Sequence, residues 1–287
     1  MSSNDWSLEA WMVQESRTWL ERFEESLDPV KLRYHKLANN AMKKVRPLLD
    51  DPRPLDLVRN LHSKVFEDVK ALRTPAQLET FEVVLLSELL CAFPLRAKHW
   101  PEMLVTQGPI PDNPPTESLH IYDDVPGPNL SRYAIVVPTS RLKNEHTSRE
   151  VHELDPPRYV YDLPDFLDGP ISRYLQEVRP RLIEPQSQHL FSTTSVATLR
   201  NRLQKVQERY FIGPLGLSKA WGFHPYRVLV ATHAVKNALE RPFEVAASLL
   251  LDSTEMVRST YGHYRAEDSH DTARASIAPT EPKGGAS

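Results

Sequence analysis

The feature that most constrains the fold is the apolar run over residues 81–93, the most hydrophobic segment of the chain. Thr74 and Gln77 precede it with the spacing of a capping box, in which each side chain bonds to the other residue's backbone N–H. The run is too short to cross a bilayer, and it contains Glu82 and Glu88. The sequence therefore predicts a long buried helix that begins after Thr74 and ends at the next proline.

Composition narrows the class of protein. The 287 residues are 40% apolar and 25% charged, as in ordinary globular proteins. The single cysteine, Cys91, cannot form an internal disulfide, which favours a reducing compartment. The N-terminus lacks the basic and apolar parts of a secretion signal. We therefore expect a cytoplasmic protein, nucleoid-associated if its source is bacterial, with no membrane association.

The net charge of −3 argues mildly against a protein whose whole surface binds nucleic acid. Basic residues nevertheless cluster over residues 31–46 and between Arg200 and Arg227. Such clusters attract phosphates, although solvated helix faces explain either cluster equally well.

Apolar residues at helical spacing, together with proline and capping signals, predict further helices. These helices lie over residues 8–23, 29–45, 57–69, 170–178, 196–207, 225–239 and 242–251. Helices thus account for most of the predicted structure.

The predicted β-structure is small. Residues 133–138 and 151–154 have strand patterns, and a hairpin turn at 144–147 would join them. The proline-rich segment 106–129 predicts a loop, and the tail over 271–287 predicts disorder. The expected fold class is mainly α with a small antiparallel sheet, within the α+β class.

A His-x-x-Arg motif, His224 to Arg227, offers the clearest chemical signal. Pro225 favours the start of a helix at this point, where unpaired backbone N–H groups and the helix dipole attract anions. Arg227 lies on the same helix face as His224 and can donate two parallel hydrogen bonds to a phosphate. By itself, however, a His-x-x-Arg pair is common by chance.

The set of residues around this motif resembles the tyrosine recombinase (phage integrase) family. The motif continues into an Ala-Thr run, and Tyr261 follows, with Gly-His after it. Upstream, Arg96 follows the buried helix as the family's first arginine does, and Lys143 stands where the family places its hairpin lysine. The resemblance covers about residues 74–264.

The resemblance implies a role for each residue. Arg96 and Arg227 would bind the non-bridging oxygens of the scissile phosphate, and His224 would bind the same phosphate and assist proton transfer. Lys143 would protonate the leaving 5′-oxygen, and Tyr261 would attack to form a 3′-phosphotyrosine. Because a tyrosine ester conserves the energy of the broken bond, neither a metal nor a nucleotide cofactor is needed.

One position departs from the family pattern. Nine residues before the tyrosine the family usually has histidine or tryptophan after a glycine, whereas this chain has Asp252 after Leu251. A carboxylate repels a phosphate unless it pairs with His224 or a nearby cation. Asp252 therefore either orients another group or lowers activity. Tyr264 is a rival nucleophile, although Tyr261 keeps the family spacing.

The motif residues also have purely structural interpretations. Arg96 could cap the carbonyls at a helix end, Lys143 could be solvated in a turn, and Tyr261 could be a packing residue with a satisfied hydroxyl. The histidines show no metal-ligand spacing.

The resemblance divides the chain into a helical N-terminal segment at 1–73, a catalytic domain at 74–268 and a tail at 269–287. It implies a site-specific recombinase for mobile-element integration or excision, acting on double-stranded DNA as a tetramer. The alternatives are a catalytically impaired DNA-binding relative and a helical interaction protein.

Overall fold

The fold is that of a computed structural model, which describes residues 43–142 and 157–261. The predicted helix at 8–23, the hairpin turn at 144–147, the strand at 151–154 and the tail at 271–287 lie outside these residues. Lys143 lies outside them as well.

Helices dominate the described residues. In chain order they are α1 (43–49), α2 (Pro54–Asp68), α3 (Pro75–Ala92), α4, α5 (Val196–Tyr210), α6 (Phe223–Asn237), α7 (Pro242–Leu250) and α8 (254–261). Helix α4 runs through three segments: Asp168–Arg173, a π-helical Tyr174–Val178, and Arg179–Leu182. The predictions for α2 through α7 are confirmed, with bounds shifted by a few residues.

Helix α3 lies at the centre of the helical part. Its capping box is present: Gln77 N donates to Thr74 Oγ1 at 3.3 Å, and Thr74 N donates to Gln77 Oε1 at 3.2 Å. Helices α2, α4, α5 and α6 pack around α3, so residues on all its faces are buried. None of the helices among the described residues has the length and apolar character needed to cross a bilayer.

Among the described residues, four strands form one sheet in the order β1-β2-β3-β4. They are β1 (Leu104–Gln107), β2 (Ser118–Ile121), β3 (Leu130–Pro138) and β4 (Arg158–Pro164). Strand β3 contains the predicted strand at 133–138. The β2–β3 and β3–β4 pairs are antiparallel, but β1 and β2 are parallel. The α+β class is confirmed, while the sheet is mixed rather than antiparallel.

The prediction of a loop over 106–129 was wrong in part, because this segment contains β2 and the end of β1. Both strands are only four residues long, and proline-rich turns surround them, so their own patterns are too short to indicate a strand. Pairing with the longer β3, as between Ser118 and Val136, provides the hydrogen bonds that hold β2 extended.

The sheet is fixed against the end of α3 by stacked aromatic rings. Phe93 stacks on Tyr161 and Tyr159, with ring centroids 4.4 and 5.8 Å away. The Tyr161 hydroxyl also donates to the carbonyl of Ala92 at 3.1 Å. These contacts fix the direction in which the chain leaves α3, and Arg96 follows three residues later.

Candidate anion-binding site

Arg96 stands at the exit from α3. It directly precedes a 3₁₀ turn over Ala97–His99, whose His99 N–H donates to the Arg96 carbonyl at 3.0 Å. Trp100, which is fully buried, donates its indole N–H to the Leu95 carbonyl at 3.2 Å. The backbone on both sides of Arg96 is therefore held in place, while its side chain remains 29% exposed.

Helix α6 supplies His224 and Arg227. It begins at Phe223, after an extended Gly222, so His224 lies inside the first turn. The sequence placed the start at Pro225, two residues too late. A proline is tolerated at the third position because the N–H groups of a first turn have no partner within the helix.

Arg227 is almost completely buried, with 5% of its surface exposed. Its Nη1 donates to the Pro94 carbonyl at 2.6 Å, and its Nη2 donates to the Leu250 carbonyl at 2.8 Å. The side chain thus connects the segment after α3 to the end of α7.

Asp252 completes the cluster. Helix α7 ends in a left-handed residue, Leu251 (φ 49°, ψ 47°), and the N–H of Asp252 donates back to the Ala247 carbonyl at 3.1 Å. This is the Schellman type of helix end. The turn directs the Asp252 carboxylate at both arginines: Oδ1 accepts from Arg96 Nη2 at 2.8 Å, and Oδ2 accepts from Arg227 Nη2 at 2.6 Å.

His224 belongs to the same electrostatic environment. Burial lowers the pKa of its imidazole, and the charges of Arg227 and Arg96 lower it further, to about 4, against an opposing effect of Asp252. Its Nε2 is buried without a hydrogen-bond partner among the described residues. The imidazole is therefore neutral near pH 7 and has a nitrogen available to a ligand.

A narrow cleft runs between these elements. The residues that line it are Leu95, Arg96, His99, Leu142, Arg227, Leu250 and Leu251. Lys143 lies outside the described residues, so its predicted role stays a prediction.

The cleft also contains a histidine that the sequence did not indicate. His99 bonds through Nδ1 to Glu117 Oε1, and Arg141 donates Nε to the same oxygen at 3.2 Å. Burial alone would raise the pKa of Glu117, but the hydrogen bond and charge of His99 outweigh it and lower the pKa to about 2. A pairing across 18 residues has no local sequence signal.

Tyr261 is the last described residue of α8. This helix starts after Ser253, whose Oγ accepts from Met256 N at 3.2 Å, and a rise of 1.5 Å per residue places Tyr261 about 10 Å along the axis. The ring is 3% exposed. An attack on DNA therefore requires Tyr261 to leave its buried position.

The structure thus brings together four of the six predicted site residues: Arg96, His224, Arg227 and Asp252. In the part of the chain that the structure describes, no group of three or more His, Cys, Asp or Glu residues is arranged to hold a metal ion. Comparisons of the chain with protein-family models, curated proteins and solved structures found no match.

Proposed function

We propose that this protein is a DNA strand transferase of the tyrosine recombinase type, which cleaves and rejoins DNA through a 3′-phosphotyrosyl intermediate. The observation that carries the proposal is the convergence of Arg96, His224 and Arg227. His224 and Arg227 share one helix, whereas Arg96 comes from a distant part of the sequence and contacts Asp252, 156 positions away.

The cluster has the electrostatics that a phosphodiester needs. Two guanidinium groups face a single carboxylate, and His224 is neutral near pH 7 because of its low pKa, so the site carries excess positive charge. Fixed positive donors stabilise the charge that develops on a phosphate during transfer. Removing one such donor commonly lowers the rate by about 10²–10³-fold.

The backbone at Leu251 supports the family resemblance. The family usually has glycine at this position, and Leu251 adopts the left-handed conformation that glycine adopts without strain. A leucine here keeps the turn that directs Asp252 toward the arginines. The backbone here is thus one that a glycine would adopt readily, which is compatible with the resemblance at a position where the side chain differs.

Under this proposal, Lys143 protonates the leaving 5′-oxygen and Tyr261 is the nucleophile. The substrate is double-stranded DNA, on which the chain assembles as a tetramer for integration or excision of a mobile element. No metal or nucleotide cofactor takes part, and the protein acts in the cytoplasm, on the nucleoid if its source is bacterial.

A second candidate function is a DNA-binding protein of the same type that has lost strand transfer. Two observations favour it: Asp252 occupies donors of both arginines, and Tyr261 is buried. Both functions require phosphate binding and differ only in whether a covalent link to DNA forms.

Capture of covalently attached DNA separates the two functions. We expect DNA to stay attached to the wild-type protein after denaturing lysis of the host, and Tyr261→Phe to abolish this attachment because the nucleophilic oxygen is lost. Sequencing of the captured DNA would also identify the target site.

Tyr264→Phe is the matched control, since it removes the neighbouring tyrosine hydroxyl and should leave the attached DNA unchanged. Attachment that survives Tyr261→Phe would contradict the assigned nucleophile. Absence of attached DNA in every form, combined with DNA affinity that falls steeply between about 50 and 200 mM salt, would support the second candidate. Absence of both would reject the two functions together.

A further inference from the structure

We propose that the Asp252 carboxylate is an internal substitute for the phosphate: it occupies the arginine donors that a phosphodiester oxygen needs, and it must be displaced before the ligand binds. This inference rests on the proposed function, because it takes the ligand of the site to be a phosphodiester. It adds a built-in competitor for the two arginines.

The donors of Arg227 show why the two anions compete. Its Nη1 donates to the Pro94 carbonyl, and its Nη2 donates both to the Leu250 carbonyl and to Asp252 Oδ2. The two carbonyls are backbone groups fixed at the ends of helices. Of these three hydrogen bonds, the one to Asp252 is therefore the one that can be exchanged, and a phosphate oxygen that bridges Arg96 and Arg227 would compete for it.

Arg96 provides the point of first contact. Its side chain is 29% exposed, compared with 6% for that of Arg227. Within residues 43–142 and 157–261, Asp252 is the hydrogen-bond partner of its guanidinium. A phosphate can therefore reach Arg96 from solvent and then replace the carboxylate on the deeper Arg227.

The position of Asp252 in the chain suits displacement. It lies in the short junction between α7 and α8, and its side chain is 10% exposed. A rotation of this side chain into solvent leaves the backbone of both helices in place. The exchange replaces the carboxylate oxygens of Asp252 with phosphate oxygens. Both guanidinium groups therefore have charge-assisted hydrogen bonds before and after the exchange.

The test compares inorganic phosphate binding by the wild-type protein and Asp252→Asn, measured by isothermal titration calorimetry at constant ionic strength. We expect Asp252→Asn to bind phosphate at least about tenfold more tightly, because a hydrogen bond between charged groups no longer has to be broken first. Glu255→Gln is the matched control. It removes an exposed negative charge three residues away, and it should leave the affinity within about twofold.

Equal phosphate affinity in the wild type and Asp252→Asn would overturn the inference, as would an equal gain in Glu255→Gln. If Asp252→Asn does not fold, the wild-type protein decides: the ¹³Cγ resonance of Asp252 should move as phosphate saturates the site. A resonance that stays fixed at saturation would overturn the inference.

Failure of the inference can be told apart from failure of the proposed function. Tighter phosphate binding by Asp252→Asn without any DNA attached to the wild type would support the competitor and reject strand transfer. Attached DNA with no gain in phosphate binding would reject the competitor and support strand transfer.

Discussion

Two carboxylates of this protein pair with arginine side chains, but they differ in position and in the number and kind of their hydrogen-bond donors. Glu82, in the middle of α3, is completely buried and accepts four hydrogen bonds. The donors are the Tyr174 hydroxyl at 2.8 Å, the Ser192 N–H and Oγ at 2.8 and 2.7 Å, and Arg202 Nη1 at 3.1 Å. Asp252, by contrast, lies between two helices, and its carboxylate accepts from two arginine side chains.

The two regions also differ in the ratio of arginines to carboxylates. Arg202 contacts two carboxylates, those of Glu82 and Glu79, the latter at 3.6 Å. At the other region two arginines contact one carboxylate. The carboxylate of Glu82 thus accepts four hydrogen bonds and shares its arginine with a second carboxylate, whereas Asp252 is one carboxylate shared by two arginines. The two ion pairs are therefore not equivalent: the one at Glu82 connects elements of the core, and the one at Asp252 leaves positive charge in excess.

The largest effect is expected from removing the Glu82 carboxylate. Glu82→Gln should lower the free energy of unfolding by about 3 kcal/mol, because it leaves Arg202 with only the half-exposed carboxylate of Glu79 and places an amide N–H donor where four donors converge. Chemical denaturation measures this loss. Glu79→Gln is the control, and it should cost less than about 1 kcal/mol since this carboxylate is half exposed. Equal losses of unfolding free energy in Glu82→Gln and Glu79→Gln would contradict the greater importance assigned to the buried carboxylate.

A smaller effect is expected at the other carboxylate. Asp252→Asn should lower the free energy of unfolding by about 1–2 kcal/mol, because Arg227 keeps its two backbone acceptors and Arg96 can reach water. Added phosphate should raise the stability of Asp252→Asn by more than that of Glu82→Gln, in which Asp252 still competes with phosphate for the arginines. Thermal unfolding with and without phosphate measures both. If added phosphate does not change the stability of Asp252→Asn, the two arginines do not form a site at which phosphate replaces Asp252.

The smallest effect concerns His224. The pKa of its imidazole is about 4 in the folded protein, below its ordinary value of 6.5, so the unfolded chain binds a proton that the folded chain does not. Stability should therefore fall as the pH drops from about 6.5 to 4.5. His224→Gln should remove roughly 1–2 kcal/mol of this fall, allowing for partial exposure of the ring.

Denaturation curves at the two pH values measure the difference between wild type and His224→Gln. The pKa values of His120 and His233 are lowered as well, mainly by burial, and their contributions remain in both proteins. An unchanged pH dependence in His224→Gln would contradict the lowered pKa of this imidazole, to which burial contributes most and the two arginines contribute further.

The sequence was sufficient to predict the helices, because the signals for a helix lie within the helix itself and at its ends. The capping box of Thr74 and the apolar run after it predicted α3, and the longer periodic segments predicted α2 and α4 through α7. The strands β1, β2 and β4 were missed because their stability depends on partners distant in the sequence. Strand β4 in particular is recognised by its pairing with β3 and by the stacking of Tyr159 and Tyr161 on Phe93.

Some features of the candidate site could likewise be predicted from the sequence, and others could not. The resemblance selected Arg96, His224 and Arg227 before their proximity was known, and it marked Asp252 as a departure. It left open whether that carboxylate pairs with a cation, and the contacts with both arginines show that it does. The hydrogen bonds of Glu82 could not be predicted, because its partners Tyr174, Ser192 and Arg202 follow about a hundred residues later along the chain.

The way in which Arg227 is bound also has a consequence for mutational surveys of this protein. One side chain joins the carbonyls of Pro94 and Leu250, which belong to different helix ends. A survey that scores abundance would therefore rank position 227 with the core, and a survey that scores activity would rank it with the site. The two scores should coincide at this residue and separate at Arg96, whose bonds to the rest of the protein are fewer.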